Sequence, residues 1–77
     1  GTADAHLGYG NYAKAAELYK LALQKGGVGA ATVNTRLGLA LGRSGDKAGA
    51  EAALKAVTGS PRDQLARFYL AWLANQP

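Results

Sequence analysis

The chain has 77 residues, so it makes one small domain with a modest core. It has no cysteine, which removes a disulfide framework and any thiolate metal site. Nine Lys/Arg against five Asp/Glu give a net charge of +4. The basic residues are spread evenly, without the stripe that nucleic-acid binding needs.

No stretch approaches the roughly 20 apolar residues needed to span a membrane. No secretory leader is legible either, so the chain reads as soluble, from cytoplasm or periplasm. Apolar residues make up 48% of the chain, much of it alanine and glycine, which suits closely packed helices.

Five helices are predicted in chain order. The first covers Ala3 to Tyr9 and ends at Gly10; it reads as cut short on its upstream side, which points to a longer parent protein. The second runs from Tyr12 to Lys25, with Asn11 as its expected N-cap. Ala15, Ala16, Leu18, Tyr19, Ala22 and Leu23 recur at helical spacing and form its apolar face. Lys25 complements the C-terminal end of the dipole, and Gly26 can take the positive φ that stops a helix.

The third helix covers about Ala31 to Arg43, with Val33, Asn34, Leu37, Gly38 and Leu41 on one side. Gly45-Asp46 makes a second turn and cap before a fourth helix, Lys47 to Val57, which turns Ala50, Ala53, Leu54 and Val57 inward. Ser60, Pro61 and Asp63 form a start signal of cap, first-turn proline and capping box. The fifth helix then runs to about Ala74. No segment alternates with the period of two that marks a strand.

An internal repeat runs through this order. Gly10-Asn11 returns as Gly45-Asp46 35 residues on, and at that offset Ala5 meets Ala40 and Ala15 meets Ala50. Such a period is the mark of stacked helical hairpins, which work by presenting a surface.

The residues that carry the repeat resemble the tetratricopeptide family. Gly10-Asn11-Tyr12, Ala15, Tyr19 and Ala22-Leu23 resemble the second helix of that repeat. Leu37-Gly38, Ala40-Leu41, Gly45-Asp46 and Ala50 resemble its first helix and turn. Lys47 and Leu54 depart from the family's aromatic positions, and the loop from Gly26 to Gly29 replaces its usual proline. Sel1-like helical repeats share the alanine pattern at a somewhat different period.

The resemblance implies an all-α fold of antiparallel hairpins stacked as a right-handed α–α superhelix. Residues 1–25 would be a first repeat with a shortened first helix, 30–58 a second repeat, and 60–75 a capping helix. It also implies a protein-interaction module with no cofactor, whose partner is a peptide or protein.

Chemistry is sparse. Lys25 to Thr32 resembles a deviant phosphate loop, but Ala30 and Ala31 stand where a lysine and a hydroxyl residue should be, and a helix precedes it. His6 is the only histidine and lacks an orienting partner and a nucleophile. Asp4, Glu17, Asp46, Glu51 and Asp63 form no pair at catalytic or metal spacing. Glu17 and Glu51 are expected to face solvent. An enzyme is not expected.

Two surfaces remain. Stacked hairpins leave the first helix of each repeat lining a concave groove, and that face of the third helix should carry Thr32, Thr35, Arg36, Leu39 and Arg43, suited to an extended peptide with an acidic group. The last helix is apolar on nearly all sides, which leaves Phe68, Tyr69 and Trp72 as a candidate interface. That interface would serve a second copy of the chain or docking onto upstream repeats.

Overall fold

Residues 2–57 and 63–77 are described by a computed structural model. Five helices follow in chain order: α1 Thr2–Gly8, α2 Tyr12–Lys25, α3 Ala30–Ser44, α4 Lys47–Lys55 and α5 Asp63–Ala74. No strand occurs among the described residues. The expected α-class is therefore what forms, and most ends fall within a residue of their predicted places. Helix α4 is the exception and stops two residues early. There the Val57 amide reaches back to the Leu54 carbonyl at 3.1 Å, a tighter turn than the helix. The predicted stop at Thr58-Gly59 and the cap at Ser60-Pro61 lie outside the described residues.

The two repeated turns share one geometry. At the first, the Asn11 amide donates to the His6 carbonyl at 2.8 Å and the Gly10 amide to Leu7 at 3.2 Å. At the second, Asp46 donates to Leu41 at 2.9 Å and Gly45 to Gly42 at 3.3 Å. This paired closure needs a left-handed residue, and Gly10 and Gly45 supply it with φ of 84° and 98°. Each turn is too short for anything but an antiparallel hairpin, so α1 pairs with α2 and α3 with α4.

The caps after those turns differ. Asp46 Oδ1 accepts from the Gly49 amide at 2.9 Å and caps α4. Asn11 makes no side-chain cap for α2, contrary to expectation. Its Nδ2 donates instead to His6 Nδ1 at 3.2 Å, drawing the side chain back toward α1.

Helix α2 packs on α3, which joins the two hairpins, and α5 closes against α4 and α3. The core is built from Ala15, Ala16 and Tyr19 of α2, Leu37, Ala40 and Leu41 of α3, Ala50, Ala53 and Leu54 of α4, and Leu73 of α5. Small residues set the spacing. A β-carbon on Gly38 would stand 2.5 Å from Leu54 Cγ, so α3 and α4 approach this closely only because Gly38 has none.

Candidate interaction surface

Helix α3 is covered by α2 and α4, and α5 also packs against it. Its buried residues are Thr35, Leu37, Gly38, Ala40 and Leu41. At 100° per residue they span about 220° of the helix, which leaves one narrow outward sector. Thr32, Arg36, Leu39 and Arg43 occupy it, with both arginines exposed and the other two half-buried.

Thr35 does not join them. It is only 3% exposed, and its hydroxyl donates to the Ala31 carbonyl at 2.8 Å. Coverage from two sides makes the buried arc wider than a single stripe and draws the edge position inward.

Arg36 has a partner that sequence spacing did not reveal. Its Nη1 lies 3.0 Å from Asp4 Oδ2 on α1. The other carboxylate oxygen, Oδ1, accepts from the Tyr19 hydroxyl, whose ring is buried in the core. The Tyr19 hydrogen bond holds the Asp4 carboxyl below its ordinary range, and Arg36 adds to that. Burial, then the neighbouring carboxylate, pushes the Tyr19 phenol well above its own range. The Arg36 pair is half-exposed, so its energetic contribution is small. It is nonetheless a direct side-chain link between α1 and α3.

Arg43 is held by aromatic rings. Its guanidinium carbon lies 5.7 Å from the Tyr12 ring centroid and 5.9 Å from that of Trp72. Both are cation–π distances. Trp72 belongs to the packing rather than to a free patch: it is half-buried against the core, with its ring in the notch left by Gly42. A β-carbon on Gly42 would meet Trp72 Cζ3 at 2.8 Å.

Tyr69 also packs on the core and meets Phe68 edge-on, with centroids 5.8 Å apart. Of the three aromatic candidates only Phe68 projects, at 66% exposure. Beside Arg43, the residues Tyr12, Gly42, Trp72 and Gln76 line an open cleft of about 400 Å³.

No family model matches the chain, and comparison with curated proteins and with solved structures found no match.

The remaining chemical candidates are placed as follows. His6 is occupied by Asn11, and Glu17 and Glu51 are exposed beside Lys14 and Lys55. Among the described residues, no group of three His, Asp or Glu side chains converges. Among the described residues no helix is long and apolar enough to cross a membrane. The glycine loop runs between α2 and α3, with Gly26 and Gly27 at positive φ.

Three features lay outside the sequence reading. Asp4 completes a cluster with Tyr19 and Arg36, Tyr12 stacks on Arg43, and Leu21 and Val28 are exposed apolar residues. Only Leu21 and Val28 left a signal, as large apolar residues off the predicted faces. The surface so assembled offers guanidinium donors, aromatic faces and apolar contacts, which are the materials of recognition.

Proposed function

We propose that the chain is a protein-interaction module of tetratricopeptide type, which holds a peptide or partner domain on the outward sector of α3. The observation that carries this reading is the sector itself. Thr32, Arg36, Leu39 and Arg43 are the side chains that a helix covered by its neighbours still presents. An arginine has five N–H donors, and Asp4 engages only part of that capacity on Arg36. A carboxylate of a bound peptide can take the rest, with Leu39 as an apolar contact beside it.

The test is selection of peptides by display on the intact protein. Enriched peptides should carry an acidic group next to an apolar residue. Thr32→Glu and Leu39→Glu variants, with helicity checked by circular dichroism, should lose them. Peptides that bind both variants as well as the parent would sink the reading. A second reading, docking or self-association through α5, is favoured by the exposure of Phe68. Light scattering on the parent and on Phe68→Asp separates the two, since only association through α5 responds to that change.

A further inference from the structure

Among the described residues Arg43 makes no ion pair and no hydrogen bond. Its guanidinium lies over the rings of Tyr12 from α2 and Trp72 from α5. These contacts leave its five N–H donors without an oxygen acceptor. They also hold the side chain in place, so little further freedom is lost when a ligand pairs with it. Arg36, by contrast, already shares its charge with Asp4.

Helices α3 and α5 lie side by side and end together at this arginine. A β-carbon on Gly42 would meet both Trp72 and Leu73. One turn back from Arg43 on α3 stands Leu39, which is half-buried. One turn back from Trp72 on α5 stands Phe68, which projects from the surface. Residues four apart share a helix face, so each pair points the same way. The outward sector of α3 and the aromatic flank of α5 therefore form one surface. It has a cationic rung at Arg43 and Trp72 and an apolar rung at Leu39 and Phe68. Four residues of helix set the rungs about 6 Å apart.

We infer that this surface takes an extended peptide segment of a partner protein, in which an acidic and a large apolar residue are separated by one residue. Alternate side chains of an extended chain point the same way about 6.6 Å apart, close to the spacing of the rungs. The carboxylate pairs with Arg43, and the apolar side chain rests on Leu39 and Phe68. The cleft beside Arg43, about 400 Å³, has room for side chains of such a segment but not for a helix, which is about 10–12 Å across. The single cation of the rung matches one carboxylate better than a doubly charged phosphate. A second copy of the chain does not supply the segment. Asp4, Glu17, Glu51 and Asp63 lie within helices, and Asp46 caps α4. The inference rests on the reading of the α3 sector as a peptide site; it adds α5 to that site and sets the register of the peptide on it.

The probes are short capped peptides in which a glutamate and a phenylalanine flank one serine. The spacing holds for either chain direction, so both orders are made. In one control the two residues are adjacent, and in another glutamine replaces the glutamate. Titration of the whole nitrogen-labelled protein, followed by NMR, should show saturable binding of a spaced peptide and at least about fivefold weaker binding of the adjacent control. The glutamine peptide, which tests the carboxylate on unaltered protein, should bind about tenfold more weakly. Arg43→Gln should cost about tenfold and abolish the preference for glutamate over glutamine, whereas Arg36→Gln should cost less than about threefold. Phe68→Ala should weaken the spaced peptide by about fivefold or more. Absence of saturable binding, or equal binding of the glutamine peptide, would overturn the inference. A loss with Arg36→Gln and none with Arg43→Gln would overturn it and leave the peptide site on α3 standing. Binding unmoved by both Leu39→Glu and Arg43→Gln would remove both readings. A dimer in sedimentation that Phe68→Ala dissociates would put a second copy on this surface and overturn the inference as well.

Discussion

Replacing Gly38 by alanine should destabilise the protein by about 2 kcal/mol, although alanine is the better helix former. On propensity alone the change favours α3 by about 1 kcal/mol. Against this, the new β-carbon would lie 2.5 Å from Leu54 Cγ and 2.6 Å from its Cδ2. Carbon atoms prefer about 3.5–4.0 Å, so the contact is short by roughly 1 Å at two atoms. Leu54 is fully buried and has no open side to swing into. Overpacking of this kind costs roughly 1–3 kcal/mol, and a trapped side chain belongs at the upper end.

The net loss is a sizeable part of the total for a domain of 77 residues, roughly 4–12 kcal/mol. Urea unfolding followed by circular dichroism should show the midpoint falling by about 2 M, given a slope near 1 kcal/mol per M. The partner substitution makes the reasoning sharper. Leu54→Ala alone should cost roughly 2–5 kcal/mol by opening a cavity. In the double variant the methyl group added by Gly38→Ala enters that cavity, so the combined loss should fall short of additivity by at least about 1 kcal/mol. Gly8→Ala is the control: nothing lies within 4 Å of the added carbon, and the change should be neutral or slightly stabilising. An unchanged or raised midpoint for Gly38→Ala, or strict additivity with Leu54→Ala, would refute the close approach of α3 and α4.

Asp46→Ala should lower stability by about 1 kcal/mol through loss of the α4 cap, whereas Asn11→Ala should cost clearly less because its side chain caps nothing; equal midpoint shifts in urea would contradict this. Because Asp4 has a lowered folded-state pKa, its contribution is complete above about pH 4, its unfolded value, and is lost as pH falls through the folded one. Tyr19 is shifted upward, so its contribution is complete below about pH 10 and declines as pH rises above that. Thermal melts of Asp4→Asn and Tyr19→Phe should therefore show a shallower acid limb and a shallower alkaline limb respectively, and limbs unchanged from the parent would dismiss the cluster. Arg43→Gln removes the cation from both rings and should cost roughly 0.5–1 kcal/mol while shifting the emission of Trp72, the single tryptophan. An unaltered emission spectrum would mean that the stack does not form in solution.

The sequence by itself determined the helices and the turns between them. Those features depend on neighbours a few residues apart: the apolar spacing along α2 and α3, and a glycine where a left-handed residue must close each helix. The repeated Gly10-Asn11 and Gly45-Asp46 pairs even fold into the same hydrogen-bonded turn. Much of the core was legible in the same way, including the small residues Gly38, Ala50 and Ala53.

Tertiary structure decided which side chains remain at the surface. Thr35 and Trp72 had the right residue types for a binding face, but one is covered by flanking helices and the other fills the notch at Gly42. Asp4, Tyr19 and Arg36 meet although they stand far apart in the chain, and no local periodicity encodes such a meeting. Local spacing fixes the direction a side chain takes from its own helix; what it meets there depends on how the helices pack.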